Sequence, residues 1–90
     1  MSDALRWKRS EALFQRRAPE GLLVLPRVSS EVTVLSGTAL SLWEVLAEAR
    51  SLDELVAAMA RRYRAKPDEI AADVELAIED LAARALVRST

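Results

Sequence analysis

The 90-residue sequence contains no cysteine and no histidine. Without cysteine it has no disulfide, no thiolate ligand for a metal and no thiol nucleophile. Without histidine it lacks the usual general base near neutral pH and the commonest ligand of zinc. These absences argue against most hydrolytic, redox and metal-dependent chemistry, so we expect a protein that is not an enzyme and that holds neither a cofactor nor a metal.

Long apolar runs and aromatic residues are also scarce. The longest apolar stretch, at positions 21–26, is far shorter than the roughly 20 residues that a helix needs to cross a bilayer. The N-terminus has no apolar signal core, so we expect a cytoplasmic protein with no membrane partner. Aromatic residues make up 4% of the chain. The apolar remainder is mostly Ala, Leu and Val, which favours a helical core.

Basic residues are missing from the segment at positions 67–83. The formal net charge is −1, but positions 1–30 hold six basic and three acidic residues, whereas positions 67–83 hold six acidic residues and no basic one. A chain of this length is expected to form one domain. We assign residues 1–11 to a flexible N-terminal lead-in and residues 12–90 to the domain.

Three short segments have the composition of β-strands, and they are Leu13–Arg16, Leu22–Leu25 and Val32–Leu35. The turn-forming tripeptide Pro19-Glu20-Gly21 separates the first two, and Ser29-Ser30 precedes the third. Because these connections are short, the three segments are expected to pair as an antiparallel meander.

Three helical patterns follow the predicted strands. The first begins near position 38 and runs to about Ala49, with Trp43 on its apolar face. The second opens at Ser51, and Glu54 three residues later completes a capping box. The third opens at Pro67, a residue favoured at the first helical position. The predicted fold is therefore α+β, a three-stranded antiparallel sheet followed by three helices, similar to a winged helix-turn-helix.

The order of these segments resembles the PqqD-like family, the recognition elements that bind precursor peptides in ribosomal peptide biosynthesis. No single motif is diagnostic, but the matching positions extend over about residues 12–88. They are Val34-Leu35-Ser36-Gly37-Thr38-Ala39, Leu42-Trp43-Glu44-Val45-Leu46, Ser51-Leu52-Asp53-Glu54-Leu55, Met59-Ala60-Arg61-Arg62-Tyr63, Ala72-Asp73-Val74 and Leu81.

The resemblance implies a non-catalytic protein that captures the leader region of a precursor peptide and delivers it to a maturation enzyme. In that family the leader adds as an antiparallel strand beside the third strand and lies against the third helix, a case of β-strand addition. The residues that this implies for the present chain are Glu31, Val32, Thr33, Val34 and Leu35 on the strand, and Asp73, Val74, Ala77, Ile78 and Leu81 on the helix.

The sequence departs from the family pattern at two positions. Ser36 stands where many members have Asn, and Ala85 stands where many have the Gly that ends the third helix in a left-handed conformation. The Ser36-Gly37-Thr38 variant with Trp43 resembles the proteins of lasso-peptide pathways, whose partner is a leader peptidase. The alternative is the quinone-cofactor branch, whose partner is a radical SAM enzyme.

Two other functions stay open at this stage. A winged-helix regulator would bind DNA through the third helix, but six acidic residues there would be repelled by phosphate, so we expect no nucleic acid partner. An edge strand that pairs with a second copy of the chain would instead give a homodimer. The basic run Arg61–Lys66 is interpreted as a solvated helix end.

Overall fold

In this computed structural model, residues 5–11, 13–27 and 31–89 are described. The predicted turn at Ser29-Ser30 and the first four residues of the lead-in lie outside them. In chain order the elements are β1 Arg6–Arg9, β2 Leu13–Ala18, β3 Gly21–Pro26, β4 Thr33–Leu35, α1 Gly37–Val45, β5 Arg50–Ser51, α2 Leu52–Tyr63, α3 Pro67–Ala83 and β6 Val87–Ser89.

The predicted three-stranded antiparallel sheet and three helices are confirmed. The strand order of this sheet is β2-β3-β4, with β3 in the centre. The β2–β3 hairpin pairs Leu13 with Pro26 at its open end and Ala18 with Gly21 at the turn. Strand β4 then pairs Leu35 with Leu22.

Strand β3 has the strict two-residue alternation of a sheet with one buried face. Leu22, Val24 and Pro26 are buried, while the residues between them are only half-buried. Leu22 and Val24 join a core that also contains Leu35 and Trp43. Helix α1 packs against β4, and side chains of α1, α2 and α3 complete the core.

Gly21 allows β4 to approach the start of β3 closely. Its φ of +146° is a conformation that only glycine adopts readily. A Cβ atom at this position would lie 2.3 Å from the carbonyl oxygen of Leu35. The glycine therefore sets how closely the last residue of β4 packs beside the hairpin turn.

A second, smaller sheet differs from the sequence prediction. Residues 6–9, which we assigned to a flexible lead-in, form β1, which lies between β5 and β6 in a sheet of order β5-β1-β6. Trp7 is paired with Arg50 on one side and with Ser89 on the other. These strands are two to four residues long. They pair residues 6–9 with residues 50–51 and 87–89, which are far apart in the sequence, so local sequence patterns do not report them.

Helix α1 ends at Val45 rather than near Ala49. Two arginines from other segments bind its last carbonyl groups. Arg9 donates from Nε and Nη2 to the Trp43 carbonyl at 3.0 and 2.6 Å, and Arg50 Nε donates to the Val45 carbonyl at 3.0 Å. Basic side chains commonly satisfy the free carbonyls at a helix C-terminus in this way.

The capping box predicted for α2 is confirmed. The Ser51 N–H donates to Glu54 Oε1 at 2.8 Å, and the Glu54 N–H donates to Ser51 Oγ at 3.2 Å. The hydrogen bond from the Ser51 backbone lowers the pKa of the Glu54 carboxyl below its usual value. Pro67 is the first residue of α3, as predicted, and the Lys66 N–H donates to Glu69 Oε1 at 2.9 Å.

Helix α3 ends in a Schellman motif despite lacking the usual glycine. Ala85 has φ +63°. Its N–H bonds to the Ala82 carbonyl, and the Leu86 N–H bonds to the Leu81 carbonyl, each at 3.0 Å. Leu81 and Leu86 are both buried, so the apolar contact of the motif is also present. Helix α3 therefore ends in the left-handed conformation, although alanine occupies the position where many family members have glycine.

None of the described helices is both long enough and apolar enough to cross a membrane. The core is formed mainly by Leu, Val, Ile and Met side chains around Trp43, which is 1% exposed. Trp43 has the core position expected from the sequence. Its indole N–H has no hydrogen-bond partner among the described residues.

Replacing Gly21 with alanine is expected to destabilise the protein by at least ~3 kcal/mol, because the new Cβ adds a backbone clash to an unfavourable φ. Gly37→Ala is the matched control. Gly37 also has a positive φ, of +55°, but a Cβ atom there would have no neighbour within 4 Å, so this variant should lose only about 1–2 kcal/mol. Urea unfolding measures the free energy of unfolding of both variants. Equal losses of stability would contradict the close approach of β4 to Gly21.

Ala85→Gly is expected to stabilise the protein by about 0.5–1 kcal/mol, since glycine removes the cost of a left-handed alanine. Ala72→Gly, an exposed position inside α3, should instead destabilise it by roughly 1 kcal/mol. Thermal unfolding followed by circular dichroism compares the two. A loss of stability in Ala85→Gly would contradict the Schellman motif.

Candidate peptide-binding surface

Strand β4 lies at one edge of the main sheet. It pairs with β3 on one side, and no described strand pairs with its other side. An edge strand presents unpaired N–H and C=O groups that another chain can bind. Thr33, Val34 and Leu35 of the predicted site form this strand, and Glu31 and Val32 precede it.

Side chains of the β4 segment alternate between the core and solvent. Leu35 is buried and Thr33 is half-buried, so neither offers an exposed apolar contact. Val32 and Val34 are 54% and 48% exposed. Since Val34 is paired with Leu23 of β3, it belongs to the outer face of the sheet. A strand added beside β4 would therefore contact two exposed valines on that face.

Most of the predicted helix residues lie in the core. Val74, Ile78 and Leu81 are almost completely buried, because the apolar stripe that made them conspicuous is the face by which α3 packs into the core. In this structure they support the helix and present no surface to a peptide. Of the predicted helix residues, Asp73 is exposed and Ala77 is partly buried.

Leu76 is a helix residue that the sequence-based prediction of the site did not include. It is 65% exposed, the largest exposed fraction among the large apolar side chains that are described. Together with Asp73, Ala77 and Asp80 it has the i, i+3, i+4, i+7 spacing of one helix face. The sequence could have indicated that Leu76 is exposed, because it lies outside the apolar stripe of α3. An apolar side chain at such a position does not reach the core.

Strand β4 and helix α3 are connected through α1. Strand β4 packs mainly against β3 and α1, whereas α3 packs mainly against α2, α1 and β6. Leu35 and Val74 nevertheless belong to the same buried cluster. The strand and the helix are therefore fixed by one core without packing closely on each other.

Acidic side chains cover α3. All six of its carboxylates are exposed, namely Asp68, Glu69, Asp73, Glu75, Glu79 and Asp80. Glu75 and Glu79 line a cleft of about 340 Å³ with Trp7, Leu52 and Asp53. Asp80 pairs with Arg84 at 3.1 Å. The remaining exposed carboxylates give this helix a negative surface.

Basic side chains lie on the opposite edge strand, β2, and beside it. Arg9 stacks over the Trp43 ring at 4.6 Å from its centroid while binding the Trp43 carbonyl. Burial lowers the pKa of Arg9, and the nearby Glu44 carboxylate acts in the opposite direction. Glu44 itself pairs with Arg62 at 2.8 Å and with Arg17 at 3.9 Å.

Two side chains of the basic run at positions 61–66 join α2 to α1. Arg62 Nη1 donates to the Ser41 carbonyl at 3.2 Å and to Glu44, so it ties α2 to α1. Tyr63 adds a hydroxyl contact of 2.8 Å with Ser41. Arg61 is exposed. No group of His, Cys, Asp and Glu side chains that could hold a metal occurs among the described residues.

Comparison with known proteins gives one result. No curated protein and no solved structure matches the chain significantly. The family model described as coenzyme PQQ synthesis protein D (PqqD) matches residues 21–87, from the first residue of β3 to the first residue of β6. Members of this family are non-catalytic accessory proteins that bind a precursor peptide and partner a modification enzyme. Because this match covers most of its length, the chain belongs to the PqqD family of precursor-peptide recognition elements.

Proposed function

We propose that this protein captures the leader of a ribosomally made precursor peptide by adding it as a strand to the free edge of β4. The observation that carries the proposal is the unpaired edge of β4 together with the exposed side chains of Val32 and Val34. Main-chain hydrogen bonds would supply affinity, and the two valines would fix the register of the leader.

On the helix side, the contacts proposed are Asp73, Leu76, Ala77 and Asp80. They form one exposed or partly exposed face of α3, and two of them are acidic, so basic leader residues fit this side. Val74, Ile78 and Leu81 act indirectly, since their burial holds the helix in place. The strand residues Glu31, Thr33 and Leu35 complete the proposed strand segment, and the Leu35 carbonyl faces Gly21 of β3. The outward backbone groups of β4 therefore come from Val34, which alternates with Thr33 and Leu35.

The partner that we propose is a leader peptidase of a lasso-peptide pathway, to which the captured precursor is delivered. The basis is the Ser36-Gly37-Thr38 sequence before Trp43 at the junction of β4 and α1. A radical SAM enzyme of the quinone-cofactor type is the alternative partner. With either partner, we propose that the domain is a winged helix-turn-helix. It would bind the peptide and perform no chemistry.

A DNA-binding role is disfavoured by the charge on α3. A recognition helix needs basic or amide side chains toward phosphates and base edges. Here six exposed carboxylates lie along the helix, and such a surface would repel the DNA backbone.

Val34→Asp is expected to weaken leader binding at least tenfold, or about 1.4 kcal/mol, because it puts a charge on the apolar side of the added strand. The measurement is fluorescence polarisation with a labelled leader from a short open reading frame beside the gene, and a scrambled peptide as control. Val34 is 48% exposed, so the variant should remain folded by circular dichroism. Ile78→Asp is not a usable test, since Ile78 is in the core and the variant should unfold.

Arg61→Glu is the matched control and should leave leader affinity within about twofold. Arg62 is left unchanged, because it anchors Glu44 and the Ser41 carbonyl. Undiminished binding by a folded Val34→Asp protein would contradict the assignment of the leader to β4. A large loss in Arg61→Glu would move the site to the basic end of α2.

A further inference from the structure

Strand β2 is the second free edge of the main sheet. It is six residues long, twice the length of β4, and it pairs only with β3 among the described strands. No backbone hydrogen bond joins it to any other described element. Alternate residues of such an edge direct their N–H and C=O groups outward, where another chain can pair with them.

The outer face of β2 borders an apolar cleft. Phe14 is 55% exposed, and with Leu23, Leu25 and Val32 it lines a cleft of about 130 Å³. The guanidinium of Arg27 lies 5.6 Å from the centroid of the Phe14 ring. Apolar side chains of a partner would fit into this cleft, and an acidic side chain next to them would lie near Arg27.

The inner face of β2 borders a basic cleft. It has a volume of about 310 Å³, and its lining includes Arg9, Gln15 and Arg17. Arg16 also lines it, but Arg16 is paired with Leu23 of the outer face and borders the apolar cleft as well. Glu44 is the acidic residue of this lining, and its carboxylate is already paired with Arg17 and Arg62. The cleft therefore keeps an excess of positive charge and accommodates carboxylates.

We infer that β2 is a second strand-addition edge, and that it binds an extended segment of a partner protein in which acidic and apolar side chains alternate. Successive side chains of an added strand point to opposite faces of the sheet. One set would enter the basic cleft beside Arg17, and the other would cover Phe14 and Leu23. Charge complementarity selects this occupant over a neutral or basic strand.

A second copy of this chain is a poor occupant. Antiparallel pairing of two β2 strands would bring Arg16 and Arg17 of both copies to the same seam, and like charges across a strand pair are destabilising. The backbone edges of the two sites are separate, since β3 lies between β2 and β4, although the Val32 side chain borders both surfaces. The two proposals are therefore distinguished by which backbone amides respond, those of β2 or those of β4.

The experiment uses the peptide Glu-Val-Glu-Val-Glu-Val-amide with fluorescein on its N-terminal nitrogen, titrated with the 90-residue chain. Binding is followed by polarisation, and the contact surface by amide chemical shifts in ¹⁵N-labelled protein. We expect shifts over residues 13–18, with β4 largely unchanged. A peptide in which Lys replaces every Glu should bind at least tenfold more weakly.

Two N-methylated probes separate strand addition from simple charge attraction. One carries methyl groups on every Glu nitrogen and the other on every Val nitrogen. In an added strand only one of these two sets of N–H groups faces β2. We therefore expect one probe to lose binding and the other to retain it. Equal affinities for the two probes would overturn the inference.

Arg17→Glu is expected to reduce affinity for the Glu-Val peptide at least tenfold and to increase affinity for the Lys-Val peptide. Arg61→Glu, the same substitution at an exposed site on α2, should change neither. Leader binding should be unaffected by Arg17→Glu, which keeps this test separate from that of β4. Shifts confined to β4, equal effects of both variants, or a concentration-dependent dimer in sedimentation would each overturn the inference.

Discussion

The alternation of buried and half-buried side chains along β3 is the constraint on which the rest of the structure depends. Leu22, Val24 and Pro26 are buried on the inner face, and Leu23 and Leu25 remain on the outer face. A shift of one residue in the register of β3 would move its buried side chains to the outer face and expose them to solvent. The register of both neighbouring strands is therefore fixed by β3, which determines what each edge presents to a partner.

The two edges of the sheet differ in length and in charge. Strand β4 is short, carries exposed valines, and shares a core with the acidic helix α3. Strand β2 is longer and is flanked by Arg9, Arg16 and Arg17. Under the two proposals, a domain of this size would engage two extended segments of different chemistry at once. That arrangement suits an accessory protein that holds a peptide while contacting a second protein.

Most of the fold could be predicted from local patterns, because the three main strands and the starts of α2 and α3 carry their own signals. The Ser51–Glu54 capping box and Pro67 each mark a boundary through chemistry that the sequence displays. The sheet of β1, β5 and β6 could not be predicted, since its strands are short and its pairing joins residues near both ends of the chain. Helix α1 ended early for a similar reason, as Arg9 binds its C-terminus from far away in the sequence.

The candidate site was predictable only in part. A period of two places Val32 and Val34 outward once β4 is recognised as an edge, but being an edge depends on the whole sheet. On α3 the apolar stripe identified the packing face, and Val74, Ile78 and Leu81 are buried there, so a direct contact of these residues with a peptide stays a prediction. Leu76, which lies outside the stripe, is the informative residue.

Binding of the leader to the free edge of β4 is the central claim, and amide hydrogen exchange in the presence of the leader tests it most directly. We predict that saturating leader slows exchange of outward-facing amides between Glu31 and Leu35, while the amides that already bond to β3 change little. Slowed exchange in β2 or in α3 alone, with the β4 amides unchanged in the presence of bound leader, would contradict this claim.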